Sequence, residues 1–191
     1  MLLADLTLPN VPFPRVIVFT AVALVAILVF SALTVGATRR HVPSHPRRHW
    51  LSRAIYAIYM LLIVLLALTA FSAILQVGHL AGYALLAHVA VSGAFIFAMV
   101  AIAFLYLPQT SHDIDRDHRA ADTWWASRWA AWGLVASSLA AAGTMLLSML
   151  PVLDTEGLLA MVELHRYAGL AVVVFAALHL FTLACARLGW R

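Results

Sequence analysis

The sequence predicts an all-α membrane protein with five transmembrane helices, of which the last four form one bundle. Its 191 residues are 64% hydrophobic and only 10% charged, and the mean hydropathy is +0.97, well above the range of soluble domains of this size. Five apolar segments are each long enough to cross a hydrocarbon core at about 1.5 Å per residue. They run from Pro14 to Val35, Leu51 to Leu75, Gly82 to Leu107, Trp129 to Leu150 and Leu158 to Arg187. Because the connections are short, residues 1–191 are expected to form a single membrane domain.

The first segment, Pro14 to Val35, is predicted to be a retained helix and not a cleaved signal peptide. No basic region precedes it, its apolar core is about twenty residues long, and no small-x-small site leads into a soluble domain. Residues 1–37 are therefore expected to add one helix to a four-helix core over residues 47–188.

The second and third segments are predicted to be antiparallel neighbours, because the connection from Gln76 to Gly82 is very short. The connector before them, Thr38 to Trp50, is basic, is broken by proline and holds three histidines. We interpret it as a solvated loop.

The fourth helix follows a longer connector, Pro108 to Arg128, which is also interpreted as solvated and whose tryptophans suit an interfacial aromatic belt. Pro151 is expected to end the fourth helix. Asp154 or Thr155 can cap the fifth, because both side chains accept hydrogen bonds from the first free backbone N–H groups.

All twelve basic residues are arginines, and they lie mostly on one side of the predicted helices. That side holds Arg39, Arg40, Arg47, Arg48, Arg53, Arg116, Arg119, Arg128, Arg187 and Arg191, whereas only Arg15 and Arg166 lie on the other. The positive-inside rule then places the N-terminus outside and the C-terminus in the cytoplasm. Binding to nucleic acid is not expected, because the basic residues flank membrane helices and do not form a soluble basic domain.

Histidines are the main functional candidates, because ionisable side chains are costly to place within a membrane. The chain has nine, and His88, His165 and His179 fall within the predicted helices. The single cysteine, Cys185, excludes an internal disulfide framework and any site built from several cysteines.

His165 and His179 are predicted to face the same side of the fifth helix. Fourteen residues at about 100° each bring the second ring to within roughly 40° of the first, about 21 Å further along the axis. Two haems, each bound axially by one imidazole, need this arrangement. Gly169, one turn beyond His165, leaves room for a porphyrin. The alternative is a pair of buried histidines that bond only to backbone carbonyls or neighbouring helices.

A haem iron bound by His165 needs a second ligand at the same depth. His88 lies about six residues into the third helix, which matches the depth of His165 in the fifth. His79 is the rival candidate, but it is about half a turn out of phase with His88, so the two cannot bind the same haem. If His88 is the ligand, His79 is left as a helix cap, a proton acceptor or a quinone contact.

His179 has no histidine at its own depth in a neighbouring helix. The nearest candidate is His49, just before the second helix, and His41 and His45 are weaker ones. His49 can equally be an interfacial histidine that binds no metal.

Four stretches of the core carry a family resemblance: RAIYAIYMLLIVLLALTAF (Arg53 to Phe71), GYALLAHVAVSGAF (Gly82 to Phe95), SRWAAWGLVASSLAAAGTM (Ser127 to Met145) and LHRYAGLAVVVFAALHL (Leu164 to Leu180). Together they resemble the four-helix di-haem cytochrome b subunits of bacterial membrane oxidoreductases, such as the membrane subunit of formate dehydrogenase and related cytochrome b anchors. The resemblance covers about Arg47 to Leu188 and leaves the first helix as an addition. Its most specific part is the histidine pair of the last helix.

The resemblance implies a haem-binding four-helix bundle in which His165 and His179 each bind one haem and His88 completes the first. In the family, a histidine near the start of the first core helix completes the second haem. Here that position holds Tyr56, and His49 lies seven residues earlier. One or two b-type haems are therefore expected as cofactors, with two favoured.

The resemblance also implies an electron-transfer subunit of an oxidoreductase complex, not a stand-alone enzyme, in the bacterial inner membrane. It would carry electrons between a quinone or quinol pool and a partner subunit of the multihaem cytochrome, iron-sulfur or molybdopterin type. Candidate contacts to haem propionates or to a quinone are Arg166, His79 and Tyr56. On the cytoplasmic side, His112 or His118 is a further quinone candidate.

Two functions of other classes stay open. A transporter or a metal- or proton-handling membrane protein would use the same histidines to bind an ion or relay protons. Against it, no two intramembrane histidines lie three or four residues apart, and the helices contain almost no carboxylates. The other is a haem-free anchor subunit, whose histidines only pack.

Overall fold

The computed structural model describes residues 11–37, 50–106 and 121–188, and within these ranges the chain is helical apart from short connections. The five helices are α1 (Phe13–Ala37), α2 (Trp50–Val77), α3 (Gly82–Tyr106), α4 (Ala121–Ser148) and α5 (Thr155–Leu188). Each is long and apolar enough to cross a membrane, which confirms the prediction of five such helices. The candidates His41, His45, His49, His112 and His118 lie outside the described residues.

Helix boundaries differ from the prediction mainly at α4, which begins at Ala121, whereas its apolar segment was expected to begin at Trp129. Apolar length marks the membrane-crossing part of a helix, and good helix formers such as alanine and arginine can extend the helix beyond that part. At α5 the cap is Asp154. Its Oδ1 accepts a hydrogen bond from the Gly157 N–H at 2.8 Å, and the helix begins one residue after Asp154.

The connection between α2 and α3 is closed by a glycine at the end of α2. Gly78 has a φ of 84° and donates its N–H to the Ile74 carbonyl at 3.0 Å. A residue with a side chain rarely adopts this φ, so glycine suits the position. The short turn makes α2 and α3 antiparallel neighbours, as predicted.

Two antiparallel helix pairs make up the bundle. The most extensive contacts are between α4 and α5 and between α2 and α3; between the two pairs, α2 contacts α5 more than α3 contacts α4. We call the end of the bundle with the α2–α3 and α4–α5 connections the turn end, and the opposite end the far end. The sequence predicts that the turn end faces outside.

Helix α1 contacts the bundle near the turn end. Phe13 lies edge-on to Tyr167, with ring centroids 5.3 Å apart, and Ile17 packs with Ile74 and Leu170. Further along α1 most side chains are apolar and exposed, Phe30 at 69% and Leu33 at 70%, for example. An apolar helix surface of this kind is suited to contact with lipid.

The centre of the bundle is held by Tyr59, which is only 2% exposed. Its ring stacks on Phe95 of α3 with centroids 5.4 Å apart and an angle of 15° between the planes. Its hydroxyl lies 2.8 Å from the Ser138 hydroxyl of α4. One side chain of α2 therefore links both helix pairs across the interior.

Candidate functional site

Two histidines from different helix pairs meet in the bundle interior toward the turn end. The ring centroids of His88 on α3 and His165 on α5 are 6.4 Å apart, and the ring planes are nearly perpendicular at 89°. Both side chains are partly buried. The structure thus brings together the two residues that were matched by depth, and their role as ligands stays a prediction.

A backbone carbonyl determines which nitrogen of His165 carries the proton. Nδ1 lies 2.9 Å from the carbonyl oxygen of Ala141 on α4. A carbonyl only accepts hydrogen bonds, so Nδ1 must be the donor. In a neutral imidazole this leaves Nε2 with a free lone pair, which is the form that binds metals. The Thr144 hydroxyl, 3.2 Å from Nδ1, lies on the same side of the ring.

For His88, a threonine side chain is the hydrogen-bond partner of Nδ1. His88 Nδ1 lies 3.0 Å from Thr69 Oγ1 on α2. The Leu65 carbonyl lies 2.8 Å from the Thr69 hydroxyl, and when the hydroxyl donates its single proton there, its oxygen accepts the hydrogen bond from His88 Nδ1. In that arrangement His88 Nε2 also keeps a free lone pair.

The separation of the two rings fits one metal ion between them. Bonds from transition-metal ions to imidazole nitrogen are about 2.0–2.1 Å long. A ring nitrogen lies roughly 1.2 Å from the ring centre, given C–N bonds of about 1.33 Å. Two imidazoles on opposite faces of one iron therefore have their centres about 6.5 Å apart, close to the 6.4 Å observed. Perpendicular planes are allowed, since each ring can rotate about its own bond to the metal.

Two glycines near the pair leave space beside the helices. A Cβ atom built at Gly169, one turn after His165, meets nothing within 4 Å, and the same holds at Gly93 on α3. Gly169 is the position at which the sequence predicts room for a porphyrin. Ser92, considered with Gly93, instead donates its hydroxyl to the His88 carbonyl at 2.7 Å. The donor set, the spacing and the open positions together fit a haem.

At the far end His179 faces a tyrosine. The ring centroids of His179 and Tyr56 on α2 are 6.0 Å apart, with 66° between the planes. His179 Nδ1 is buried and makes no hydrogen bond with the described residues, and the Ser127 backbone of α4 lies near the imidazole. The predicted partner His49 lies outside the described residues, so its pairing with His179 stays untested.

Both histidines of α5 lie beside the backbone of α4. Ala141 and Ser127 are fourteen residues apart on α4, the same spacing as His165 and His179 on the antiparallel α5. Each imidazole thus lies beside the α4 backbone at its own level, and for His165 the contact is a hydrogen bond from Nδ1 to the Ala141 carbonyl. The difference between the two sites lies in the residue opposite, which is His88 toward the turn end and Tyr56 at the far end.

His79 lies in the connection between α2 and α3 and is exposed. The comparison of His79 with His88 from the sequence assumed that both lie on one continuous helix. Because α3 begins only at Gly82, His79 lies outside that helix, and its angle relative to His88 does not follow from helical turns. His79 instead lines an open cleft of about 410 Å³ at the turn end, together with Ser72 and Gln76 among others.

Arg166, the candidate for a propionate contact, forms an ion pair with Glu163 at 2.5 Å. Its guanidinium carbon lies 5.9 Å from the centre of the Phe13 ring on α1. In the structure Arg166 therefore joins α5 to α1.

The residues that fix Nδ1 of each histidine were not identified from the sequence. Thr69 and Thr144 are polar side chains within apolar helices, which was the available signal. Their contacts with histidines on neighbouring helices depend on helix rotation, which one sequence does not provide. Comparison with protein-family models, with curated proteins and with solved structures finds no match for the chain.

Proposed function

We propose that this protein is the membrane cytochrome b subunit of an electron-transfer complex, with a haem b held between His88 and His165. The observation that supports this most strongly is the geometry of that pair. The ring centres lie 6.4 Å apart, so both imidazoles could hold one iron, and both Nδ1 atoms are already hydrogen-bonded. Each histidine therefore has Nε2 available for the metal.

A haem at this position would supply a one-electron redox centre within the membrane. The protein would position it by holding the two imidazoles at fixed rotations. Thr69 and Ala141 accept the Nδ1 protons, and hydrogen bonds of this kind fix ring orientation and raise the basicity of the ligand nitrogen. Apolar neighbours that excluded water would also tune its reduction potential.

The wider role in the proposal is electron exchange between a quinone or quinol pool and a partner redox subunit. Its support is indirect: the apolar helices suit a bilayer, in which quinones dissolve, and the sequence resembles cytochrome b anchors. Bacterial inner-membrane location and a cytoplasmic C-terminus belong to the same proposal, and they rest on the resemblance and on the arginine distribution.

The test is the redox spectrum of the purified protein from haem-replete cells. We expect b-type absorption bands in the dithionite-reduced minus oxidised spectrum, and partial reduction of the same bands by a short-chain quinol. A colourless preparation would overturn the proposal. If a transition metal were bound without porphyrin, the metal-handling alternative would replace it.

A further inference from the structure

We infer that Thr144 raises the reduction potential of the haem proposed between His88 and His165, because its hydroxyl competes with His165 for one backbone carbonyl. This inference rests on the proposed function. It concerns a residue that acts on the haem only through the hydrogen bond from His165 Nδ1 to Ala141, so Thr144 is a positioning residue.

Three polar atoms meet between α4 and α5 near the turn end. His165 Nδ1 and Thr144 Oγ1 each lie 2.9 Å from the carbonyl oxygen of Ala141. Nδ1 and Oγ1 are 3.2 Å from each other. The three atoms therefore form a nearly equilateral triangle, and the carbonyl oxygen is its only member that carries no proton.

The hydrogen-bonding roles in this triangle follow from the carbonyl. Since a carbonyl only accepts, Nδ1 of His165 is the donor to Ala141. A protonated Nδ1 cannot accept, so the Thr144 hydroxyl donates to Ala141 as well. Thr144 is only 6% exposed, and a buried hydroxyl usually keeps a partner within the protein. Two side chains thus donate to the same oxygen.

The Thr144 oxygen is badly placed to accept the proton of His165 in return. In a nearly equilateral triangle, the directions from Oγ1 to Ala141 and to Nδ1 are only about 60° apart. The lone pairs of a hydroxyl oxygen point well away from its own O–H bond, which is directed at Ala141. Thr144 is therefore a competitor of His165 and not its acceptor.

The backbone of α4 adds a third donor to the Ala141 carbonyl. Because α4 is continuous from Ala121 to Ser148, the N–H of Met145, four residues after Ala141, donates to this oxygen. A carbonyl oxygen has two lone pairs. Removal of the Thr144 hydroxyl would leave two donors for the two lone pairs and so strengthen the bond from His165.

The strength of this bond affects the ligand nitrogen. A hydrogen bond donated from Nδ1 raises the basicity of Nε2. A more basic axial ligand stabilises ferric more than ferrous iron, because ferric iron carries the larger positive charge, and the reduction potential falls. By weakening the bond from His165 to Ala141, Thr144 would keep the potential higher.

The threonine beside His88 is arranged differently. The Thr69 hydroxyl has two backbone carbonyls of its own helix within reach, Leu65 at 2.8 Å and Leu66 at 3.1 Å. Its oxygen lies 3.0 Å from His88 Nδ1 and accepts from it when the hydroxyl donates to its helix. Thr69 would therefore lower the potential, and the two threonines would act in opposite directions.

The experiment is a redox titration of the full-length protein in lipid nanodiscs, with the band of this haem identified by its loss in His165→Ala. Thr144→Val keeps the shape of the side chain and removes the hydroxyl. We expect it to shift the ferric-to-ferrous ratio about threefold toward ferric, a fall in midpoint potential of about 30 mV at about 59 mV per tenfold. Thr69→Val should raise the potential.

Two matched variants separate this effect from a loss of packing. Thr144→Ser keeps the hydroxyl and should keep the potential of the parent protein. Ser148→Ala removes a hydroxyl that donates to the Thr144 carbonyl at 2.7 Å and should also leave the potential unchanged. In haem-free protein labelled at histidine with ¹⁵N, the Nδ1–H proton of His165 should move downfield in Thr144→Val alone, because a stronger hydrogen bond deshields it.

The outcomes distinguish the inference from the proposed function. A lower potential in Thr144→Val with the parent potential in Thr144→Ser supports the inference. An unchanged or higher potential in Thr144→Val, or an equal fall in Ser148→Ala, would overturn it and leave the cytochrome proposal standing. Absence of haem from the parent protein would overturn the cytochrome proposal. An unshifted His165 resonance in Thr144→Val would overturn the competition for Ala141 in either case.

Discussion

His88 Nδ1 and Thr69 Oγ1 lie 3.0 Å apart across the α2–α3 interface, and the Thr69 hydroxyl is in turn bonded to its own helix backbone. The threonine therefore acts as an acceptor that fixes the rotation of the histidine ring. If His88 binds haem, Thr69 is a positioning residue for that ligand.

Thr69→Val is expected to weaken haem binding and keep the fold, because valine has the same shape but no acceptor for His88 Nδ1. Loss of such a partner typically lowers metal affinity about 10–100-fold. The measurement is a haemin titration of the apoprotein. Ser72→Ala is the control, since the Ser72 hydroxyl donates to the Leu68 carbonyl of its own helix. Equal affinities in the two variants would show that Thr69 does not position the ligand.

Tyr59→Phe is expected to destabilise the bundle by about 0.5–2 kcal/mol, because the buried Ser138 hydroxyl loses its partner on α2. The free energy of unfolding in mixed micelles measures the effect. Ser138→Ala and the double variant complete the cycle. If the two single effects add without coupling, the hydrogen bond between α2 and α4 contributes nothing.

Gly133→Ala is expected to lower stability by about 1–3 kcal/mol through overpacking. A Cβ atom at Gly133 would overlap the ring of Phe175 on α5, so the ring or the two helices would have to shift. Gly143→Ala on the same helix is the control, because a Cβ there meets nothing within 4 Å. Gly133→Ala should unfold at a lower temperature than the parent protein. Adding Phe175→Leu to it should restore part of the lost stability. Equal melting of the two glycine variants would contradict this packing.

Tyr56→His is expected to create a second pair of facing imidazoles and so to raise the haem content from one to two per chain. The backbone already brings position 56 opposite His179. The pyridine haemochrome assay measures the count, with Tyr83→His as the control at an exposed site. A count that stays at one would show that Tyr56 is not what keeps a second haem out.

The five helices were predictable because apolar length alone reports a membrane crossing, and their observed bounds follow the apolar segments closely except at α4. The meeting of His88 with His165 was also predictable, since the depth of each residue can be counted from the turn that precedes its own helix. Asp154 and Thr155 were both possible caps of α5, and only the backbone geometry identifies Asp154.

Other features depend on helix rotation, which residue spacing does not define. The contacts of Thr69 with His88 and of Ala141 with His165 are of this kind. So is the approach of Arg166 to Phe13 on α1. The Tyr56 ring faces His179 for the same reason, although the sequence marked Tyr56 as standing where the family has a histidine. The pairing of Arg166 with Glu163, three residues earlier on the same helix, follows from spacing alone.

The most direct test of the histidine pair is the haem content of three purified variants: His88→Ala, His165→Ala and, as the control, His79→Ala. We predict that either of the first two loses the haem proposed to lie between these rings, whereas His79→Ala keeps it, because His79 lies outside the helices in an exposed connection. Full haem content in His88→Ala or His165→Ala would contradict the proposed site.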